Sequence, residues 1–108
     1  MERWKSVFAE NLLSQLSAGE ITADQIIDVR EAEEWDYYHL EGTKLIPMNT
    51  VPHCLGDLDD NKSLYIICAH GVRSEAVCRY LSGQGYDKLY NVEGGMAAVA
   101  HLQGFQYD

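Results

Sequence analysis

The sequence predicts an α/β fold, a mainly parallel central sheet of four to five strands flanked by helices on both faces. Three observations carry this prediction. Four short apolar runs recur along the chain, and segments with helical character lie between them. Three of the four runs hold consecutive apolar residues rather than strict alternation, which suits strands covered on both faces. Strands alternating with helices imply βαβ crossovers, and so a parallel sheet with helices packed over it.

The runs are QIIDV (25–29), KLIPM (44–48), LYIIC (64–68) and KLYNV (88–92), and SVF (6–8) offers a fifth strand at the N-terminal side. ENLLSQLSAG (10–19) sets Leu12, Leu13 and Leu16 on one helical face and stops at Gly19. EAEEWDYYHLEG (31–42) opens with acidic residues, which a helix N-terminus favours, and is expected to run to about Gly42. SEAVCRYLSGQG (74–85) places Ala76, Val77, Tyr80 and Leu81 on one stripe and ends at Gly83 or Gly85. EGGMAAVAHLQG (93–104) reads as a Gly-Gly turn and a short helix.

The chain has 108 residues, the size of one domain spanning 1–108, with 46% hydrophobic and 23% charged residues. A net charge of −9 argues against nucleic acid and anionic membrane as partners, since both want a basic patch. It also means that an anionic substrate needs a local site working against the overall field. No segment approaches the ~20 apolar residues of a membrane span, and no apolar stretch of signal-peptide length opens the chain. Cys54, Cys68 and Cys78 are odd in number and lack C-x-x-C spacing, so free thiols in a reducing, cytoplasmic setting are expected. No ligand-spaced His/Cys pairs predict a metal site, and no glycine-rich phosphate motif predicts a nucleotide. No cofactor is expected.

The chemistry concentrates in CAHGVRS (68–74). Cys68 ends an apolar run, at the carboxyl edge of the sheet where open α/β folds place their functional crevice. A tight loop leading into a helix points free N–H groups and the positive end of the helix dipole at an anion. Here the anion is the thiolate of Cys68 itself. Gly71 permits the curl, Arg73 adds a positive charge with a fork of donors, and Ser74 is read as the N-cap. Arginine follows cysteine at C-x4-R spacing, one residue shorter than the C-x5-R of a loop that cradles a phosphoryl group. The smaller ring suits a single sulfur atom carried on the cysteine.

The chain resembles the single-domain rhodaneses. Their active loop commonly reads C-x-x-G-x-R-S, matched by Cys68, Gly71, Arg73 and Ser74. IIDVREAEEWDYYHLEG is similar to the family's D-V-R-x-x-x-E-[WFY]-x-x-x-H-[IL]-x-G segment through Asp28, Arg30, Glu34, His39 and Gly42. Pro47 and NVEGGM match further family positions. The resemblance implies a sulfurtransferase in which Cys68 accepts sulfane sulfur from a small donor, thiosulfate or a low-molecular-weight persulfide or polysulfide. The sulfur then passes to a thiol or cyanide, with a protein thiol as a further acceptor. Ala69, His70, Gly71, Val72, Arg73 and Ser74 would hold the persulfide. Ala69 stands where relatives often carry a basic or polar residue, which implies a weaker grip on a dianion. Val99 stands where a tryptophan is usual, and Gly42-Thr43 replaces the usual G-A. The competing readings are a phosphatase or arsenate reductase on the related fold, and a non-catalytic sulfur carrier or binding module.

The remaining residues have plainer expectations. Asp28 and Arg30 are supporting residues, Arg30 through an ion pair with Glu34 and Asp28 by orienting the active loop. His39 is expected to make a structural hydrogen bond, and Gly94 and Gly95 a tight turn bordering the crevice. Cys78 is read as packed within its helix. Cys54 is read as an exposed loop cysteine, with resolution of a Cys68 persulfide as the minority alternative.

Overall fold

A computed structural model of the chain describes residues 4–107. The first three residues and the last of the domain expected over 1–108 therefore lie outside the described residues. Five strands form one sheet: β1 (Trp4–Phe8), β2 (Ile26–Asp28), β3 (Lys44–Leu45), β4 (Leu64–Ile67) and β5 (Leu89–Glu93). All pair in parallel, in the order β1-β5-β4-β2-β3. The N-terminal run is thus a strand, longer than SVF, lying along β5 at the sheet edge.

Three α-helices lie in the crossovers, α1 (Ala9–Ser17), α2 (Ala32–Tyr37) and α3 (Val72–Gly83), and a fourth, α4 (Gly95–Leu102), follows β5. Alternate side chains of the central strands feed two cores, as a sheet covered on both faces requires. Ile27, Ile66, Cys68 and Leu89 point to the face under α3, where Val77, Cys78 and Leu81 meet them. Short 3-10 turns between β3 and β4 close the same face with Val51, Leu55 and Leu58. Ile26, Tyr65, Ile67 and Val92 point to the other face, against Leu12 of α1 and Met96 and Val99 of α4.

Three expectations about elements need correction. The helix after Asp28 ends at Tyr37, well before Gly42, because Tyr38 turns to an extended conformation. Its carbonyl is taken by Arg30 Nη2 at 2.7 Å, and that of Glu34 by Arg30 Nη1 at 3.2 Å, so a buried guanidinium closes the helix. The buried stripe of α3 is Ser74, Val77, Cys78 and Leu81, whereas Ala76 and Tyr80 face solvent. KLIPM is formally a strand for two residues only. Ile46 N–H still donates to Asp28 O and Met48 N–H to Val29 O, but Pro47 between them has no N–H to give.

The chain leaves β2 toward one edge of the sheet, returns to β4, and leaves that strand toward the other edge. Adjacent strands whose connections diverge open a crevice beyond their carboxyl ends. Arg30 follows β2 there, and Cys68 follows β4.

Candidate active site

Cys68 begins the four-residue loop that joins β4 to α3. Gly71, not Ser74, caps the helix: its φ of 108° lies in the left-handed region, and α3 starts at Val72. A Cβ at Gly71 would only reach ordinary contact with Gly94 N at 3.6 Å and Val92 O at 3.7 Å, so the positive φ is what calls for glycine. Ser74 sits one turn into the helix, fully buried, with its hydroxyl turned toward the cysteine.

The loop is fixed from behind by α4. Met96 N–H donates to Cys68 O at 2.7 Å and Ala97 N–H to Ala69 O at 3.0 Å. These are N-terminal donors of α4 that have no partner within their own helix. Gly95 makes the approach possible: a Cβ there would stand 2.4 Å from Cys68 O and 2.5 Å from Ala69 O. In a trans peptide, C=O and N–H point opposite ways. Tethering the Ala69 carbonyl outward therefore turns the His70 N–H inward, toward the sulfur.

The Cys68 thiol is 1% exposed. Gly71 N–H donates to Sγ at 3.1 Å, and Sγ lies 3.3 Å from Ser74 Oγ. Burial pushes the thiol pKa up, but the hydroxyl and N–H of Ser74 and the N–H groups of Gly71 and His70 outweigh it. The net result lies below the ordinary cysteine value. Behind Ser74 the polar chain continues: its hydroxyl donates to Asn91 Oδ1. Asn91 Nδ2 then donates to Gly71 O at 3.3 Å and to Glu93 Oε2 at 2.8 Å. Asn91 is the buried polar member of β5, and its amide holds both ends of the loop's last turn.

The charged residues pair differently from expectation. No Arg30–Glu34 ion pair forms. Arg30, completely buried, places Nη2 2.7 Å from Asp28 Oδ2, and its Nε binds the same carboxylate. Asp28 thus orients Arg30; its described bonds do not reach the active loop. The Glu34 carboxylate instead accepts both Nη atoms of Arg73 at 2.8 Å each. Glu34 Oε2 also accepts Glu31 N–H at 2.9 Å, at the start of α2. The Arg73 guanidinium holds the Glu34 carboxyl down at about 2, although partial burial opposes the shift. The same pairing raises Arg73 further above its ordinary value.

His70 and Val72 are exposed, while Ala69 is buried. Glu33, Glu34, Tyr37, Ala69, His70 and Tyr107 line a cleft of about 380 Å³ beside the loop. Tyr107 OH accepts from Arg30 Nη1 at 3.1 Å, so the C-terminal segment reaches the site. His39 makes its expected structural bond, with Nδ1 2.8 Å from Trp35 O and its ring stacked on the indole. Gly94 and Gly95 form the expected turn at the crevice. Cys78 is packed, and burial pushes its thiol up to about 12. Cys54 is half-buried against the α3-side core rather than exposed.

Sequence reasoning passed over Asn91, Glu33, Tyr37 and Tyr107. Asn91 carried a signal, since a polar residue inside an apolar run must find partners when buried. The other three are surface residue types whose meeting depends on tertiary folding.

This geometry coincides with a family match: the family model of the rhodanese-like domain covers residues 8–102. The chain belongs to the rhodanese-like domain family. It is 28% identical over 98 residues to the thiosulfate sulfurtransferase GlpE of Shewanella oneidensis, covering 91% of this chain and 94% of that protein. It is 43% identical over 81 residues to the putative sulfurtransferase YtwF of Bacillus subtilis, covering 72% and 78% of the two chains. Among solved structures, a rhodanese-like domain protein from Staphylococcus aureus superposes with a TM-score of 0.80 at 43% identity, covering 88% of this chain and 90% of that one. The rhodanese-like match stops before Tyr107, so part of the cleft wall comes from residues beyond it.

Proposed function

We propose that this rhodanese-like domain is a sulfurtransferase that carries sulfane sulfur on Cys68. The observation behind the reading is a thiol with a lowered pKa, surrounded by the N–H groups of His70, Gly71 and Ser74, in a C-x4-R loop. In the first half-reaction the Cys68 thiolate attacks the outer sulfur of R–S–SH. The R–S bond partner departs as R–S⁻ with the electron pair of the broken S–S bond, leaving Cys68–S–SH. With thiosulfate the leaving group is sulfite and the product is Cys68–S–S⁻. In the second half-reaction an acceptor thiolate or cyanide attacks the outer sulfur and Cys68 departs as thiolate. Charge on the outer sulfur would rest on the loop N–H groups from Ala69 to Ser74, which need no reorganisation to receive it. Arg73, held by both Glu34 oxygens, braces the first turn of α3 against α2 beside the loop.

The same chemistry serves a protein acceptor. A putative sulfur carrier protein, YrkF of Bacillus subtilis, is 42% identical over 71 residues, covering 66% of this chain and 38% of its own length. Three cysteines without a disulfide fit a reducing, cytoplasmic setting. None of the helices among the described residues is long and apolar enough to cross a membrane.

Incubation with thiosulfate or a low-molecular-weight persulfide should add one sulfur, about 32 Da, to the intact mass. Cys68→Ala should abolish both that gain and turnover while leaving the far-ultraviolet circular dichroism unchanged. Substantial transfer in Cys68→Ala, or release of phosphate from an aryl phosphate in its place, would refute the assignment.

A further inference from the structure

The cleft beside the active loop has a composition that the sulfur-transfer chemistry does not itself require. Ala69 and His70, the two residues directly after Cys68, line it. Tyr37 and Tyr107 form aromatic walls with their rings edge to face, centroids 5.8 Å apart. Glu33, exposed, supplies a carboxylate at the rim. Its neighbour Glu34 is already paired with Arg73, so the arginine's charge is answered before any substrate arrives. A volume of about 380 Å³ falls in the range of small-molecule sites and far exceeds the needs of one sulfur atom.

The Tyr107 wall is firmly built. The segment after α4 returns across the end of α2, where Phe105 stacks on Tyr38 at 4.3 Å between centroids. Phe105 also meets Tyr37 edge-on at 5.5 Å. Tyr37 OH donates to Gln106 O at 3.4 Å, and Arg30 Nη1 donates to Tyr107 OH at 3.1 Å. His70 meets the Tyr107 ring edge-on at 6.4 Å. Residues 103–107 lie beyond the stretch matched by the family model.

We propose that Tyr107, with Tyr37 and Glu33, forms a donor subsite that selects an amine-bearing organic persulfide over thiosulfate. The proposal rests on the sulfurtransferase reading and names the class of donor. The carbon body of the donor packs against the cleft-facing side of this edge-to-face ring pair. Its ammonium group faces the Glu33 carboxylate, and its outer sulfur reaches Cys68. Thiosulfate has no carbon body for the rings and brings a dianion to an acidic rim. Transfer is as written above: the S–S bond of R–S–SH breaks, Cys68–S–SH forms, and R–S⁻ leaves.

Cysteine persulfide and thiosulfate are compared as donors, with loading of Cys68 read by intact mass and kcat/KM read with cyanide as acceptor. Cysteine persulfide is expected to exceed thiosulfate by about tenfold or more in kcat/KM. Tyr107→Ala should lower that ratio about fivefold, and Tyr107→Phe, which keeps the ring and loses the bond to Arg30, should preserve it. Glu33→Lys should lower the ratio as well, by improving thiosulfate. The proposal is overturned if thiosulfate is the better donor in the unaltered protein, if Tyr107→Ala leaves the ratio in place, or if Tyr107→Phe lowers it as much as alanine does. Failure of both donors to load Cys68 would instead overturn the sulfurtransferase reading, and this inference with it.

Discussion

Ser74 lies inside α3 rather than at its cap. A cap must sit where the chain enters the helix, and the left-handed turn at Gly71 brings that entry forward. Ser74 then faces inward, between Cys68 Sγ and Asn91 Oδ1. By turning its one proton from Asn91 Oδ1 to the thiolate, its hydroxyl is one of the groups that hold the thiol pKa below the ordinary value. Ser74→Ala should therefore move the acid limb of the kcat/KM–pH profile for sulfur transfer to higher pH. At pH 6 the rate should fall severalfold while the alkaline plateau changes less. Asn91 Oδ1 would also lose its donor inside the protein, at a cost of about 1–3 kcal/mol in urea unfolding. An acid limb that stays in place in the variant would show that the N–H groups alone govern the thiolate.

The loop between β4 and α3 owes its shape to α4, the helix that follows the last strand. Two N–H groups at the start of α4 hold the carbonyls of Cys68 and Ala69, and Gly95 lets them come close. Gly95 has a φ of 59°, so an alanine there meets both backbone strain and two carbonyl oxygens. Gly95→Ala should destabilise the fold by about 2–3 kcal/mol and cut sulfur transfer more than the loss of folded protein accounts for. Chemical denaturation alongside specific activity of the folded fraction checks both parts. The two glycines were visible in the sequence as a turn, and the α/β alternation placed that turn at the crevice. What they touch was not visible, because the contact joins residues far apart in the chain. The same limit explains Arg30. Its spacing from Glu34 suggested an ion pair holding the following helix, but the side chain is buried, where the Asp28 carboxylate is the nearer answer to its charge.

Glu34 and Arg73 join α2 to the first turn of α3 across the crevice, tying the β2 and β4 sides of the sheet together. The carboxyl titrates near 2 when folded against an ordinary 4.5. Its contribution is complete above 4.5 and is lost as pH falls toward 2. Because both side chains remain about one-third exposed, that contribution is only about 1 kcal/mol. Glu34→Gln should narrow the difference in urea midpoint between pH 6 and pH 2.5, and high salt should narrow it in the unaltered protein too. An unchanged pH dependence in Glu34→Gln would assign acid sensitivity to other carboxylates among the 17 acidic residues. The strand count, the parallel arrangement and the position of Cys68 were readable from apolar runs and one loop. The aromatic wall was not, since Tyr107 lies 77 residues from Arg30 and no local period links them.

The cradle around Cys68 is assembled largely from peptide groups, and their direction is set by α4 and Gly71 rather than by the side chains of the loop. Recognition of the sulfur is in that sense written in backbone, leaving positions 69, 70 and 72 free to vary without erasing it. A lineage could retune which molecules approach the thiol by changing those three residues and the tail, while the chemistry at the sulfur passed unchanged from one descendant to the next.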